Sequence, residues 1–522
     1  MASAFDNHGE HTKALEEYQR ALDRNQKTLG DDHLSTLNTV YRIALLFEKQ
    51  GEYIQALEWF QRVLDGREKM FGKDSPITLN ILHNIATVFD KQRENVTALE
   101  WYQRALDGRE KTLGNDDPST LDIVHRIAVL FHKQGEHVKA LEWFQRVLDG
   151  REKTFGKDHP STLNVVHNMA SVFSEQRDYI KAMQWCQRAL DGREKTLGND
   201  HPSTIDTVNL TATVFRKQQE HVKALEWYQR ALHGMEKILG KDHLTTLDTV
   251  YRMASVFKDQ GDHVKALEWY QRVLDGCEKT LGNDHFLTLE TIYSMATVFH
   301  KQGERIKALE WYQRALDCYE MTLGNDHPST LHIVYCMARM FQKQEEHIKA
   351  LQWYQRALEG REKILGNDHP STLDVVFSIA RSFDKHGEHA KALEWYQRAL
   401  DGNEKTLDND HPSTLHIVYC MAVLFDKDGE HVKALEWYQC DLDGLEKALG
   451  KDHPSTLNTV HNIALLLDKN GEHVKAQEWH KRVLDGRVKT LDKDHGSTLE
   501  TVHDIAKGKN LHCTVTNFEG SQ

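Results

Sequence analysis

A tryptophan returns every 42 residues along this chain, at Trp59, Trp101, Trp143, Trp185, Trp227, Trp269, Trp311, Trp353, Trp395, Trp437 and Trp479. No insertion or deletion interrupts the series, and the words around each Trp recur with it (HVKALEWYQRAL at 221–232, HVKALEWYQRV at 263–273). A fixed period of this length means one supersecondary unit copied along the chain. Each copy then contacts only its neighbours, so the 522 residues are expected to form one continuous, elongated array rather than several globular domains. Eleven complete repeats run from Leu37 to about residue 494, with half repeats around 9–29 and 497–506. Residues 1–506 therefore read as one solenoid and 507–522 as a non-repeat tail.

Each repeat codes for two helices. From Leu121 the apolar residues fall at Leu121, Val124, Ile127, Ala128 and Phe131, three or four apart, which paints one stripe on a helix. After the break KQGEH, where Gly135 can take the positive φ of a helix terminus, the stripe resumes at Val138, Leu141, Phe144, Val147 and Leu148. All eight prolines (Pro76, Pro118, Pro160, Pro202, Pro328, Pro370, Pro412, Pro454) share the position just before the first helix, as first-turn residues do. The residue before them is usually His (His159, His201, His327), but Ser75 and Asp117 also occur there, so this position is expected to be the N-cap. The glycines of DGREK (Gly66, Gly108, Gly150, Gly192) either let neighbours pack closely or end the second helix.

With Leu121 as position one of a repeat, Ala stands at eight, Gly at fifteen, Ala at twenty, an aromatic at twenty-four and Ala or Val at twenty-seven. This pattern resembles the tetratricopeptide repeat (TPR), in the 42-residue variety of kinesin light chains and of the C-terminal arms of fungal and bacterial NLR-like receptors. The resemblance implies an all-α fold, a right-handed superhelical α-solenoid of stacked antiparallel helix pairs. Departures gather at the ends: Glu17 replaces the first Trp, and Gln477 and His480 replace the usual Leu and Tyr. Met1 falls on the position of Met169 and Met253, so MASAF at 1–5 reads as the middle of a first helix and the chain as a fragment of a longer repeat protein.

The search for chemistry returns little. The 32 histidines concentrate in two turns, but equivalent positions of successive repeats should lie roughly 8–10 Å apart, too far to share a metal ion. No phosphate-binding glycine loop is present, and GREKTLG lacks the second Gly directly before Lys. The seven cysteines are scattered without a CxxC pair and read as free thiols. Cys336 with His332, and Cys420 with His416, stand four apart on a helix, yet no third orienting group repeats nearby. The Trp row is expected to pack between repeats rather than to stack a ligand. The chain is thus read as no enzyme, with no metal and no cofactor. A net charge of −13 argues against nucleic acid as partner, and the absence of a long apolar run or a signal peptide against a membrane, which leaves a cytoplasmic address.

The repeats differ from one another along one strip. The second helix is nearly invariant, whereas positions two, five, six, nine and twelve of the first helix change from repeat to repeat. These positions are contiguous on a helix, and the TPR resemblance places them on the concave groove that binds peptides. The candidate peptide-binding residues are Tyr41, Arg42, His83, Asn84, His125, Arg126, His167, Asn168, Arg216, Tyr251, Arg252, Tyr293, Tyr335, Arg339, Arg381, Tyr419 and Asn462. Asn84, Asn168 and Asn462 match the groove Asn of kinesin light chains. Arg42, Arg126 and Arg252, with His83, His125 and His167 beside them, are expected to attract an acidic segment. The resulting expectation is a scaffold for a protein or extended peptide; the alternative is the ligand-sensing arm of an NLR-like NTPase receptor.

Overall fold

The computed structural model describes residues 11–490 and 496–503; MASAF at 1–5 and the tail at 507–522 lie outside them. The described residues are helical throughout, apart from short turns, and fold as antiparallel pairs. In the third repeat Pro118–Lys133 pairs with His137–Phe155, and the same arrangement recurs from Leu34–Gln50 with Tyr53–Phe71 to Pro454–Lys469 with His473–Thr490. Residues 496–503 form one more helical stretch. No helix among the described residues is long and apolar enough to cross a membrane.

Local chemistry sets the helix ends. The expected cap position is the cap: His159 Nδ1 accepts the backbone N–H of Ser161 at 3.2 Å, and Asp117 does the same for Ser119 at 2.9 Å. Ser75 is the exception, for it makes no side-chain cap bond. Gly135 takes φ 77° and closes the first helix. At the same turn four repeats force a side chain into the left-handed region, at Arg93, Arg177, Gln219 and Glu345. In most repeats the loop before the first helix is pinned by the Thr of the PSTL word, whose buried hydroxyl donates to the preceding loop, as Thr162 does to the Gly156 carbonyl at 2.9 Å, whereas the Thr120 hydroxyl makes no such bond.

The glycine of DGREK does not end the second helix, which runs from His137 to Phe155 straight through Gly150. Its lack of a side chain serves packing: a Cβ there would stand 2.7 Å from Leu121 Cδ2 on the partner helix. Ala128, Ala140, Phe144 and Val147 are fully buried between the two helices.

The described residues divide into two halves, one through Arg272 and one from Val273. Within the first half one apolar cluster runs from Ala14 to Ala189, the first helices and second helices of successive repeats contributing in turn. The Trp of each repeat is half buried beside it. Trp59 stacks on Phe47 of its own repeat, with Arg62 over the ring at 5.7 Å. Trp143 shares a 660 Å³ cleft with Gln103, Arg104 and Gly108 of the repeat before it, as packing between repeats requires. The second helices are also tied by charge: Arg104 reaches Glu68 of the preceding repeat at 2.5 Å, and Arg146, Arg188 and Arg230 repeat the contact with Glu110, Glu152 and Glu194. This repeated use explains why the second helix varies so little.

Candidate binding strip on the first helices

In most repeats the ring at position five of the first helix sits on the aromatic residue at position twenty-four of the second; the fourth repeat has Cys186 at twenty-four and the fifth has Asn209 at five. Tyr41 lies 6.1 Å from Phe60 by ring centroid, His83 5.6 Å from Tyr102, His125 5.6 Å from Phe144, and Tyr251 5.4 Å from Tyr270. In the C-terminal half Tyr293, Tyr335 and Tyr419 sit likewise on Tyr312, Tyr354 and Tyr438. These rings are half buried.

Position six reaches back to position five of the preceding repeat. Asn84 Nδ2 donates to Tyr41 Oη at 2.9 Å, Asn462 Nδ2 to Tyr419 Oη at 2.8 Å, and Asn168 Nδ2 lies 3.3 Å from His125 Nε2. Tyr335 Oη and Ser378 Oγ make the same link at 3.0 Å. The strip is therefore a ladder of polar contacts between repeats, and the asparagine amides stitch one repeat to the next.

Charge is distributed less evenly than residue types suggest. Arg42 and Arg126 are exposed and make no ion pair among the described residues. Arg216 is held by Asp259 at 2.9 Å and Arg252 by Asp248 at 2.8 Å, which neutralises both. The histidines between them add no positive charge at neutral pH. Burial, reinforced by Arg109 and Arg126, pulls His83 down to about 4; burial, with Arg151 and Arg126, pulls His125 down to about 3; burial beside Arg193 does the same to His167, to about 3. In the C-terminal half Arg339 and Arg381 are the exposed arginines of the strip, Arg339 lying 5.8 Å from the Tyr335 ring centroid.

The cysteine and histidine pairs are poor nucleophile sites. Cys336 Sγ stands 3.7 Å from His332 Nε2, but burial raises the thiol and lowers the imidazole, and Tyr293 Oη occupies the same ring nitrogen at 2.9 Å. Burial pushes the Cys420 thiol up to about 11. Among the described residues no group of three or more His, Cys, Asp or Glu is placed to hold a metal ion.

A second polar column, behind the strip, is missing from the candidates above. Arg67, Arg109, Arg151, Arg193, Arg361 and Arg487, at position thirty-one, are buried at 3–6% exposure. Arg151 donates to the Ser161 carbonyl at 2.8 Å and to Asp122 Oδ1 at 2.6 Å, so it joins the first helices of two successive repeats. The tenth repeat breaks this column with Leu445, and breaks position twenty-seven, otherwise Ala or Val, with Asp441. Comparing repeats at those two columns exposes both changes in the sequence.

Solved structures that match include a Podospora anserina putative kinesin light chain with nearly identical TPR-like repeats (22% identity, 40% of this chain and 98% of that one, TM-score 0.36). BtubC (BKLC) from P. vanneervenii also matches (16% identity, 44% and 92%, TM-score 0.40), as does the apo form of RapI (16%, 54% and 97%, 0.43). No curated protein matches. The family profile of the tetratricopeptide repeat matches residues 7–69, 39–111, 119–195, 165–237, 208–278, 245–321, 328–405 and 410–489, which leaves almost none of the array uncovered. With its repeat pattern, paired helices and profile in agreement, the chain belongs to the tetratricopeptide repeat family.

Proposed function

We propose that this chain is a scaffold that binds an extended protein segment along the first-helix strip, with exposed arginines reading acidic side chains and half-buried rings offering flat contacts. One observation carries the reading: Arg42 and Arg126 in the N-terminal half, and Arg339 and Arg381 in the C-terminal half, stand exposed on the face where the repeats differ. A guanidinium without an internal partner is ready for a carboxylate, which it can bind through two parallel hydrogen bonds. The second-helix face, in contrast, spends its arginines on neighbouring repeats. The Tyr and His rings lose little conformational entropy on binding because packing already holds them.

The test is a peptide-library pull-down on the full chain, with Arg42→Glu plus Arg126→Glu as the reversal pair. Acidic peptides should be enriched by the native chain and lose tenfold or more in affinity with the reversals, which corresponds to about 1.4 kcal/mol. Arg252→Glu should matter less, because Asp248 already holds that side chain. Enrichment of basic peptides, or acidic binding unmoved by the reversals, overturns the assignment.

A further inference from the structure

The tenth repeat contains a cavity of about 420 Å³ between the helices Pro412–Lys427, His431–Leu449 and Pro454–Lys469. Pro412, His416, Ser455 and Asn458 form its exposed rim, while Leu445, Thr459 and Asp441 lie buried within. Asp441 is 1% exposed. One carboxylate oxygen, Oδ2, accepts from Thr459 Oγ1 at 2.6 Å, and no basic side chain among the described residues pairs with the group.

Other repeats show what this space holds. The position of Leu445 is that of the buried arginines, each of which donates Nη1 to the backbone carbonyl ten residues on. Arg487 donates to the Ser497 carbonyl at 2.6 Å and the Thr501 hydroxyl at 2.7 Å, and Arg193 uses the equivalent Thr207 at 2.6 Å. Arg67 and Arg361 also lie over the position-five ring, 5.3 Å from Tyr41 and 5.0 Å from Tyr335. In the tenth repeat the equivalents of these groups remain: Ser455, Thr459 and Tyr419 all line the cavity. The cation is missing, His416 stands where Asn38, Asn80, Asp122, Asn164 and Asn458 accept from the arginines, and a carboxylate has been added. Met235, Cys277, Tyr319 and Asn403 replace the arginine elsewhere, but the neighbouring position in those repeats is Ala231, Val273, Ala315 or Ala399, so only the tenth pairs the loss with an acid.

We propose that this cavity receives a guanidinium group from outside, the arginine side chain of a bound peptide, in the place that an internal arginine fills in other repeats. The guanidinium would meet Asp441 as counter-ion, the Ser455 carbonyl as acceptor and the Tyr419 ring as a face. A buried carboxylate lacking a cation is costly, and burial accordingly pushes Asp441 up to about 6. Tyr419 belongs to the binding strip, so an occupant enters from the surface along which the segment is proposed to lie. The inference deepens that reading and rests on it for the source of the arginine, giving the partner a fixed basic residue among its acidic ones.

Calorimetric titration of the full chain tests the cavity with three probes: agmatine, an acidic octapeptide carrying one central arginine, and the same peptide with citrulline, which keeps the shape and drops the charge. The arginine peptide should bind at least tenfold more tightly than either of the others. Asp441→Asn should erase that preference. Leu445→Arg, which restores the internal cation, should erase it too while leaving the fold intact. Equal binding of arginine and citrulline peptides, or an arginine preference that survives Asp441→Asn, overturns the cavity while leaving the strip's acidic preference standing. Agmatine binding that depends on Asp441 and equals that of the arginine peptide overturns the peptide as source, and points to a fault in the strip reading instead.

Discussion

At the first-helix cap and at position five histidine does two different jobs, and the surroundings of Nδ1 decide which. At the helix starts, Nδ1 of His159, His201, His327 and His453 accepts a backbone N–H that would otherwise be orphaned. At position five, Nδ1 of His83 and His125 is buried without a hydrogen bond, and the ring earns its place by packing. Replacing His159 by Ala should therefore lower stability by about 1 kcal/mol, whereas His159→Asp, which copies the natural cap at Asp117, should preserve it. Urea titration of the two variants against the native chain checks this; equal loss in both would mean that the cap bond contributes nothing. The cap was legible in the sequence because Ser75 and Asp117 share its position. The fate of the strip asparagines was not, because Asn84 and Tyr41 are one full repeat apart, and residue type says nothing about which polar neighbour will take an amide.

At the scale of the helix pair, the glycine of DGREK decides how closely the two helices approach. The sequence left two readings open, since glycine suits both a helix end and a tight contact. Backbone geometry separates them: Gly156, which follows the second helix, has φ 91°, whereas Gly150 is simply helical with Leu121 pressed against it. Gly150→Ala should be close to neutral, because a gain of about 1 kcal/mol in helix propensity offsets the shift of a leucine methyl. Gly150→Val adds branching where a methyl is already tight, and should cost about 1–3 kcal/mol. The seventh repeat supplies a natural precedent for the smaller change, with Cys318 at the equivalent position inside the helix Arg305–Leu323. Thermal melts of both variants provide the comparison, and a Val variant as stable as the Ala one would contradict the close-approach role. The helices themselves were readable from apolar spacing alone, since the stripes at Leu121 to Phe131 and Val138 to Leu148 fall inside the observed pair.

For the molecule as a whole, composition conceals where protons act. The N-terminal half carries His83, His125 and His167 in three consecutive repeats, each held neutral mainly by burial. In the unfolded chain these rings take up a proton near the ordinary 6.5, but the folded half refuses it until about 4 for His83 and about 3 for the other two. The unfolded state therefore binds more protons throughout that window, so stability is full above 6.5 and falls as the pH drops through it. At pH 5 the loss is on the order of 2 kcal/mol for each histidine, and below about 3 it no longer grows. Tyrosine offers the natural replacement, since Tyr41 and Tyr419 already occupy this position with an Asn bonded to the hydroxyl. The triple variant His83→Tyr, His125→Tyr and His167→Tyr should match the native chain near neutral pH and become progressively more stable than it as the pH falls to 4. Hydrogen exchange followed at pH 7, 6 and 5 reads the effect locally, with native protection at residues 76–175 weakening toward acid and the variant's holding. Parallel loss in the two proteins would show that these rings are not the groups through which acid destabilises the N-terminal half.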